Sequence, residues 1–123
     1  MDKLEQIFKM QKELDKYIEE QHPHLVPTSM NDWVKQLTIA MEDEISEVRG
    51  EINWKHWKEP KSIDVRRLKE EVIDVWHFLI SMSYRIGLEP QDILKVYEKK
   101  WQENFDRQNG KSAEKDYRGS HAK

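Results

Sequence analysis

Residues 68–82 read LKEEVIDVWHFLISM, and the spacing of their apolar positions decides the fold. On a helical wheel Leu68, Val72, Val75, Leu79 and Met82 fall on one broad face, continued by Ile86. Ile73, Trp76 and Ile80 carry apolar character round the other side. Glu71 and Asp74, with Ser81 and Arg85, are left as a narrow polar stripe interrupted by Phe78. Leucines would pack in this helix without desolvating a charge, so the two acids need a separate reason to be there.

The same helical period extends along the chain. Leu4, Ile7, Phe8, Gln11, Leu14 and Ile18 mark a first helix, stopped by the HPH at 22–24. Ser29, Asn31 and Asp32 are candidate caps for a second, predicted to start near Asp32 and run to Gly50 or Trp54. Its core face is Val34, Leu37, Met41, Ile45, Val48 and Ile52, bordered by Glu44, Glu47 and Glu51. A polar, basic and aromatic connector, NWKHWKEPKSID at 53–64, leads to a third helix capped by Ser62 or Asp64 and ending near Gly87. Pro90 opens a fourth helix over 90–108. Alternating β-pattern is almost absent, so the expected fold is all-α, a bundle of four to five helices occupying residues 1–110. Residues 111–123 have little apolar content and are expected to form a flexible tail.

Composition narrows the function. The chain has 123 residues, enough for one helical core. Its charged fraction is 37% but its formal net charge only −3, which argues against a polybasic nucleic-acid surface. With no cysteine there is neither a disulfide framework nor a thiolate nucleophile. No signal peptide and no membrane-length apolar run is visible, and the expected location is cytoplasmic. Ile73, Trp76, Ile80 and Tyr84 add more apolar surface than one small bundle buries, so a homodimer with a largely helical interface is expected.

The second and third helices each place acids three residues apart beside their packing faces. If those borders meet, Glu44, Glu47, Glu71 and Asp74 form a four-carboxylate cluster. Like charges beside an apolar core repel one another and resist desolvation, so the cluster needs protons, basic partners or divalent cations. Mg²⁺, or alternatively Mn²⁺, is a hard cation that prefers oxygen ligands, and it can neutralise phosphate oxygens and activate a water.

The flanking residues make the pattern more specific. AMEDEISEVRGEINWKHWK at 40–58, followed by LKEEVIDVWHFLISMSYRIGL at 68–88, resembles the paired segments of the all-α nucleoside triphosphate pyrophosphatases (the MazG-like superfamily), and among them the dimeric dUTPases. The matches are Glu44 and Glu47, Glu71 and Asp74, then His77 and Phe78. YEKKWQENFDRQNG resembles the family's C-terminal pattern through Tyr97, Lys100, Asn104, Arg107, Gln108 and Gly110, and FKMQKELD resembles its N-terminal helix, with Gln11 as the glutamine that helps hold the pyrimidine. Three departures stand out. Asp15 replaces a usual asparagine, Trp101 stands where asparagine is common, and Lys111 replaces a frequent tyrosine.

The resemblance implies Mg²⁺-dependent hydrolysis of dUTP to dUMP and pyrophosphate. A water activated at the ions or oriented by a carboxylate attacks the α-phosphorus, with Glu44, Glu47, Glu71 and Asp74 as catalytic acids and ligands. Glu47 is the preferred water-orienting acid. Gln11 and Phe78 would contact the base. Lys58, Lys100, Asn104, Arg107 and Lys111 would contact the remainder of the nucleotide, and the tail would close over it. The alternative substrates are dCTP or a noncanonical triphosphate, and the alternative class is a non-catalytic helical dimer. Neither nucleic acid nor membrane is an expected partner.

Overall fold

The computed structural model describes residues 1–110. They form four α-helices, α1 (Lys3–Gln21), α2 (Met30–Gly50), α3 (Val65–Arg85) and α4 (Pro90–Gln108), with one 3₁₀ turn, Pro23–Leu25, between the first two. The fold is all-α, as the periodicity predicts. Among the described residues no helix is long and apolar enough to cross a membrane.

Each helix starts where a side chain can take an orphan N–H. Asp2 accepts from the Glu5 N–H at 2.8 Å, Ser29 from Asp32 at 3.1 Å, and Asp64 from Arg67 at 3.2 Å. Such caps are worth about 1 kcal/mol each. The second helix therefore begins two residues before Asp32, because Ser29 caps it and Asp32 becomes its first-turn acid. At α4, Glu89 and Asp92 make a reciprocal capping box, and Pro90 occupies the first turn, where its missing N–H costs nothing. Gly87 ends α3 with φ +92°, and the Leu88 N–H reaches the Ser83 carbonyl at 2.9 Å, closing a left-handed C-terminal cap.

The chain divides into two compact units, residues 1–88 with α1 to α3 and a second beginning at Glu89 with α4. In the first, α3 is the central element and both α2 and α1 pack on it. The two apolar sides of 68–82 thus receive different neighbours. Among the described residues the buried apolar side chains are Phe8, Leu37 and Ile80. Along α1 the buried line is Phe8, Gln11 and Asp15, while Ile7, Leu14 and Ile18 stay exposed on its rim. On α2, Val34, Met41 and Val48 are half-buried but Ile45 is exposed, and Ile52 lies exposed just beyond the helix end. Of the proposed dimer face, Ile80 is already buried and Tyr84 half-buried, leaving Ile73 and Trp76 open.

Candidate functional site

The i,i+3 spacing on α2 brings Glu44 and Glu47 to the side of the helix that meets Glu71 of α3. One carboxylate oxygen from each of the three lies within 4.8 Å of the others. Glu44 and Glu71 are half-buried, and Glu47 is exposed. One oxygen of Glu44 and one of Glu71 are shut off from solvent without a hydrogen-bond partner. Burial raises the Glu44 carboxyl above its ordinary range, reinforced by the charges of Glu47, Asp74 and Asp43. Burial likewise raises Glu71, followed by the charges of Glu47 and Asp74. Asp74 is exposed and stands outside the close triad, but its charge acts on both Glu44 and Glu71.

Orphaned buried oxygens are costly unless something positive meets them. The three acids supply only hard oxygen donors, which suit Mg²⁺ or Mn²⁺ rather than a thiophilic metal. The triad therefore fits a divalent cation. Glu51, the other border acid, is engaged elsewhere: it pairs with Arg67 at 3.4 Å and ties the end of α2 to the start of α3.

The connector after α2 is a clasped loop. The Asn53 side chain donates to the Lys61 carbonyl and accepts from the Lys61 N–H, both at 2.9 Å. Within the clasp Trp54 and Trp57 meet edge to face at 6.0 Å, with His56 against Trp57 at 5.1 Å and the Lys55 amine 5.3 Å from the Trp54 ring centre. Lys58 is exposed on this loop. Phe78 is half-buried on α3. In the second unit Lys100, Asn104 and Arg107 recur at i, i+4 and i+7 and so share one face of α4. Lys111 lies outside the described residues.

A second polar assembly joins α1 to α3. Asp15 accepts at one oxygen from the Gln11 amide nitrogen at 2.8 Å, and at the other from Ser81 at 2.8 Å, Tyr84 at 2.6 Å and Arg85 at 3.2 Å. Arg85 also reaches Glu19 at 3.2 Å and lies over the Trp33 ring, 3.5 Å from its centre. The Tyr84 hydroxyl is pushed well above its usual range by burial first and then by its hydrogen bond to Asp15, which keeps it a donor. His77 Nδ1 meets the Gln11 carbonyl oxygen at 2.6 Å. Ser81 and Arg85, which share a stripe with Glu71 and Asp74 on the wheel, thus belong to this network. Sequence reasoning missed it, although Asp15 one turn after Gln11, and Ser81, Tyr84 and Arg85 at i, i+3, i+4, were visible signals. Beside it, Gln11 and His77 line an otherwise apolar cleft of about 550 Å³ with Ile7, Leu14, Ile73 and Trp76 among its walls.

An acid-bearing helix pair in an all-α fold is the arrangement of the all-α nucleoside triphosphate pyrophosphatase (MazG-like) superfamily. The chain belongs to the dUTPase family: the family model described as dUTPase matches residues 3–90. It is also similar to a dCTP pyrophosphatase of Enterobacteria phage T4, at 28% identity over 71% of this chain. The match spans 66% of that relative's length. No solved structure matches.

Proposed function

We propose that the chain is a divalent-metal-dependent pyrophosphohydrolase of pyrimidine deoxynucleoside triphosphates, with dCTP the favoured substrate. The observation that carries this reading is the Glu44, Glu47 and Glu71 triad, whose buried oxygens lack protein partners. The name of the phage relative favours dCTP, and the family description supports dUTP as the second candidate.

When bound, Mg²⁺ would supply the charge that offsets the triphosphate and make a coordinated water more acidic. Glu44 and Glu71 would hold the more buried side of the ion, and Asp74, on the adjoining turn of α3, would add a fourth carboxylate. Glu47, the exposed acid, orients the attacking water toward the α-phosphorus. The new bond joins water oxygen to that phosphorus as the water's proton passes to Glu47 and on to solvent; the bond to the bridging oxygen breaks, and the β,γ-diphosphate leaves with both of its electrons. Lys58 contacts the phosphates, while Gln11 and Phe78 contact the base. A homodimer with two sites is the assembly that goes with this reading.

Pyrophosphate release from a nucleotide panel in Mg²⁺ tests the reading. Turnover of dCTP or dUTP, with dCTP ahead, is the expected result. No release from any triphosphate would leave the helical dimer without catalysis as the correct class.

A further inference from the structure

The buried network has a direction, and the direction is set at Asp15. The Ser81 oxygen accepts from Arg85 Nε at 3.0 Å, so its own proton is committed to Asp15 Oδ2 at 2.8 Å. Tyr84 and Arg85 donate to the same oxygen, at 2.6 and 3.2 Å. The other carboxylate oxygen, Oδ1, accepts as well, so the Gln11 atom facing it at 2.8 Å has to be the amide nitrogen. That turns the Gln11 carbonyl oxygen toward His77, and the 2.6 Å contact there requires a proton on Nδ1. In the neutral ring Nε2 is then an acceptor. Asp15 and Ser81 are buried, at 8% and 3% exposure, so water does not substitute for these partners. Gln11 and His77 are the polar side chains of a cleft whose remaining walls are aliphatic, thioether and indole. In such a cleft a few polar atoms decide which ligand edge fits.

We propose that Asp15 is a positioning residue for nucleobase selection: by accepting from Gln11 it fixes the donor and acceptor order that Gln11 and His77 present to a pyrimidine ring in the α1/α3 cleft. The inference rests on the reading of the chain as a pyrimidine nucleotide pyrophosphohydrolase. Cytosine and uracil have almost the same outline but opposite polarity on one edge. Cytosine offers an amino donor beside a ring-nitrogen acceptor, and uracil a carbonyl acceptor beside an N–H donor. A glutamine amide free to turn over would serve both. One held by a carboxylate serves one.

The substitution Asp15→Asn replaces one carboxylate oxygen by an amide nitrogen and inverts the chain. Three donors still converge on the Oδ2 side, so the asparagine carbonyl oxygen takes that position and its amide nitrogen faces Gln11. The Gln11 amide must then turn over, placing its nitrogen against His77, which can only accept by moving its proton to Nε2. A substitution of nearly identical shape thus reverses the polarity of the cleft.

The experiment uses the full chain with ¹⁵N-labelled histidine. A long-range ¹H–¹⁵N correlation, recorded above the histidine titration range and assigned by loss of the signal in His77→Gln, reads the tautomer. The parent is expected to show the Nδ1–H form and Asp15→Asn the Nε2–H form. In parallel, kcat/KM for dCTP and dUTP should shift in ratio by at least ~10-fold toward the pyrimidine that the parent disfavours. An Nε2–H tautomer in the parent overturns the proposal, and so does a tautomer that inverts while the ratio stays fixed. If Asp15→Asn does not fold, Gln11→Met removes the amide while keeping chain length, and discrimination should fall to within ~3-fold of unity, a loss comparable to removing a single polar contact; retained discrimination overturns the proposal. A parent that releases pyrophosphate from neither nucleotide refutes the functional reading and base selection with it, whereas the tautomer still reports separately on the Asp15 lock.

Discussion

The first unit contains two carboxylate centres built on the same helix, α3, and they are opposites. At Asp15 every oxygen has a donor, and a guanidinium balances the charge. At Glu44, Glu47 and Glu71 the acids face one another, and two buried oxygens have no partner. A saturated carboxylate fixes geometry; a repulsive and unsatisfied one is held in readiness for a cation. The contrast separates a carboxylate that holds structure from carboxylates able to take a cation. It also explains why apolar helix 68–82 tolerates acids: one polar border faces the acids of α2, and the other is stitched to α1.

Neutralising the open centre should have the largest effect. Glu47→Gln or Glu71→Gln is expected to lower turnover by at least ~100-fold through lost ion placement and charge stabilisation, with helicity by circular dichroism unchanged. Asp74→Asn, outside the close triad, should cost less, on the order of 10-fold, measured by pyrophosphate release under the same conditions. The closed centre should respond the other way round. Asp15→Ala removes the acceptor shared by Ser81, Tyr84 and Arg85, leaving Arg85 with Glu19, and is expected to cost about 3 kcal/mol in urea unfolding, while Mg²⁺ affinity of the folded fraction is retained.

A smaller effect follows from acidity. Glu44 and Glu71 are raised above the ordinary carboxylate value of 4.5, so in that window the native state binds more protons than the unfolded chain. Metal-free stability should therefore be greatest below pH 4.5 as far as these two groups are concerned, and fall as pH rises through their raised range. Saturating Mg²⁺ should remove that decline, as thermal melts across pH with and without EDTA would show. At the bottom of the scale, Glu42→Gln, exposed and outside the triad, should change stability by no more than about 0.5 kcal/mol and leave turnover unaltered.

Helical period and caps made most of the fold legible. The apolar spacing located α1 to α4, and Asp64, Gly87 and Pro90 sit where their chemistry predicts. The start of α2 was misplaced because Ser29, Asn31 and Asp32 can all cap, and only the hydrogen bond chooses among them. The acid triad was legible because three of its features, spacing, charge and an apolar setting, are properties of single helices. The Asp15 network was not, since it depends on which side of α1 meets α3. Periodicity assigned α1 a face of Leu4, Ile7, Phe8, Gln11, Leu14 and Ile18; packing buried Phe8 and Gln11 of these, left Ile7, Leu14 and Ile18 exposed, and added Asp15. A polar residue with a partner across the interface can outcompete an aliphatic one for the inner position, and a wheel carries no information about that partner.

Mn²⁺ titration followed by the electron paramagnetic resonance of the free ion tests the central claim without reliance on any substrate. The parent chain is expected to bind the ion, with Glu71→Gln weakening binding by at least ~10-fold and Asp15→Asn leaving it unchanged. Equal Mn²⁺ affinity in the parent and in Glu71→Gln, or no binding by the folded parent, would contradict the assignment of the acid triad as the metal centre.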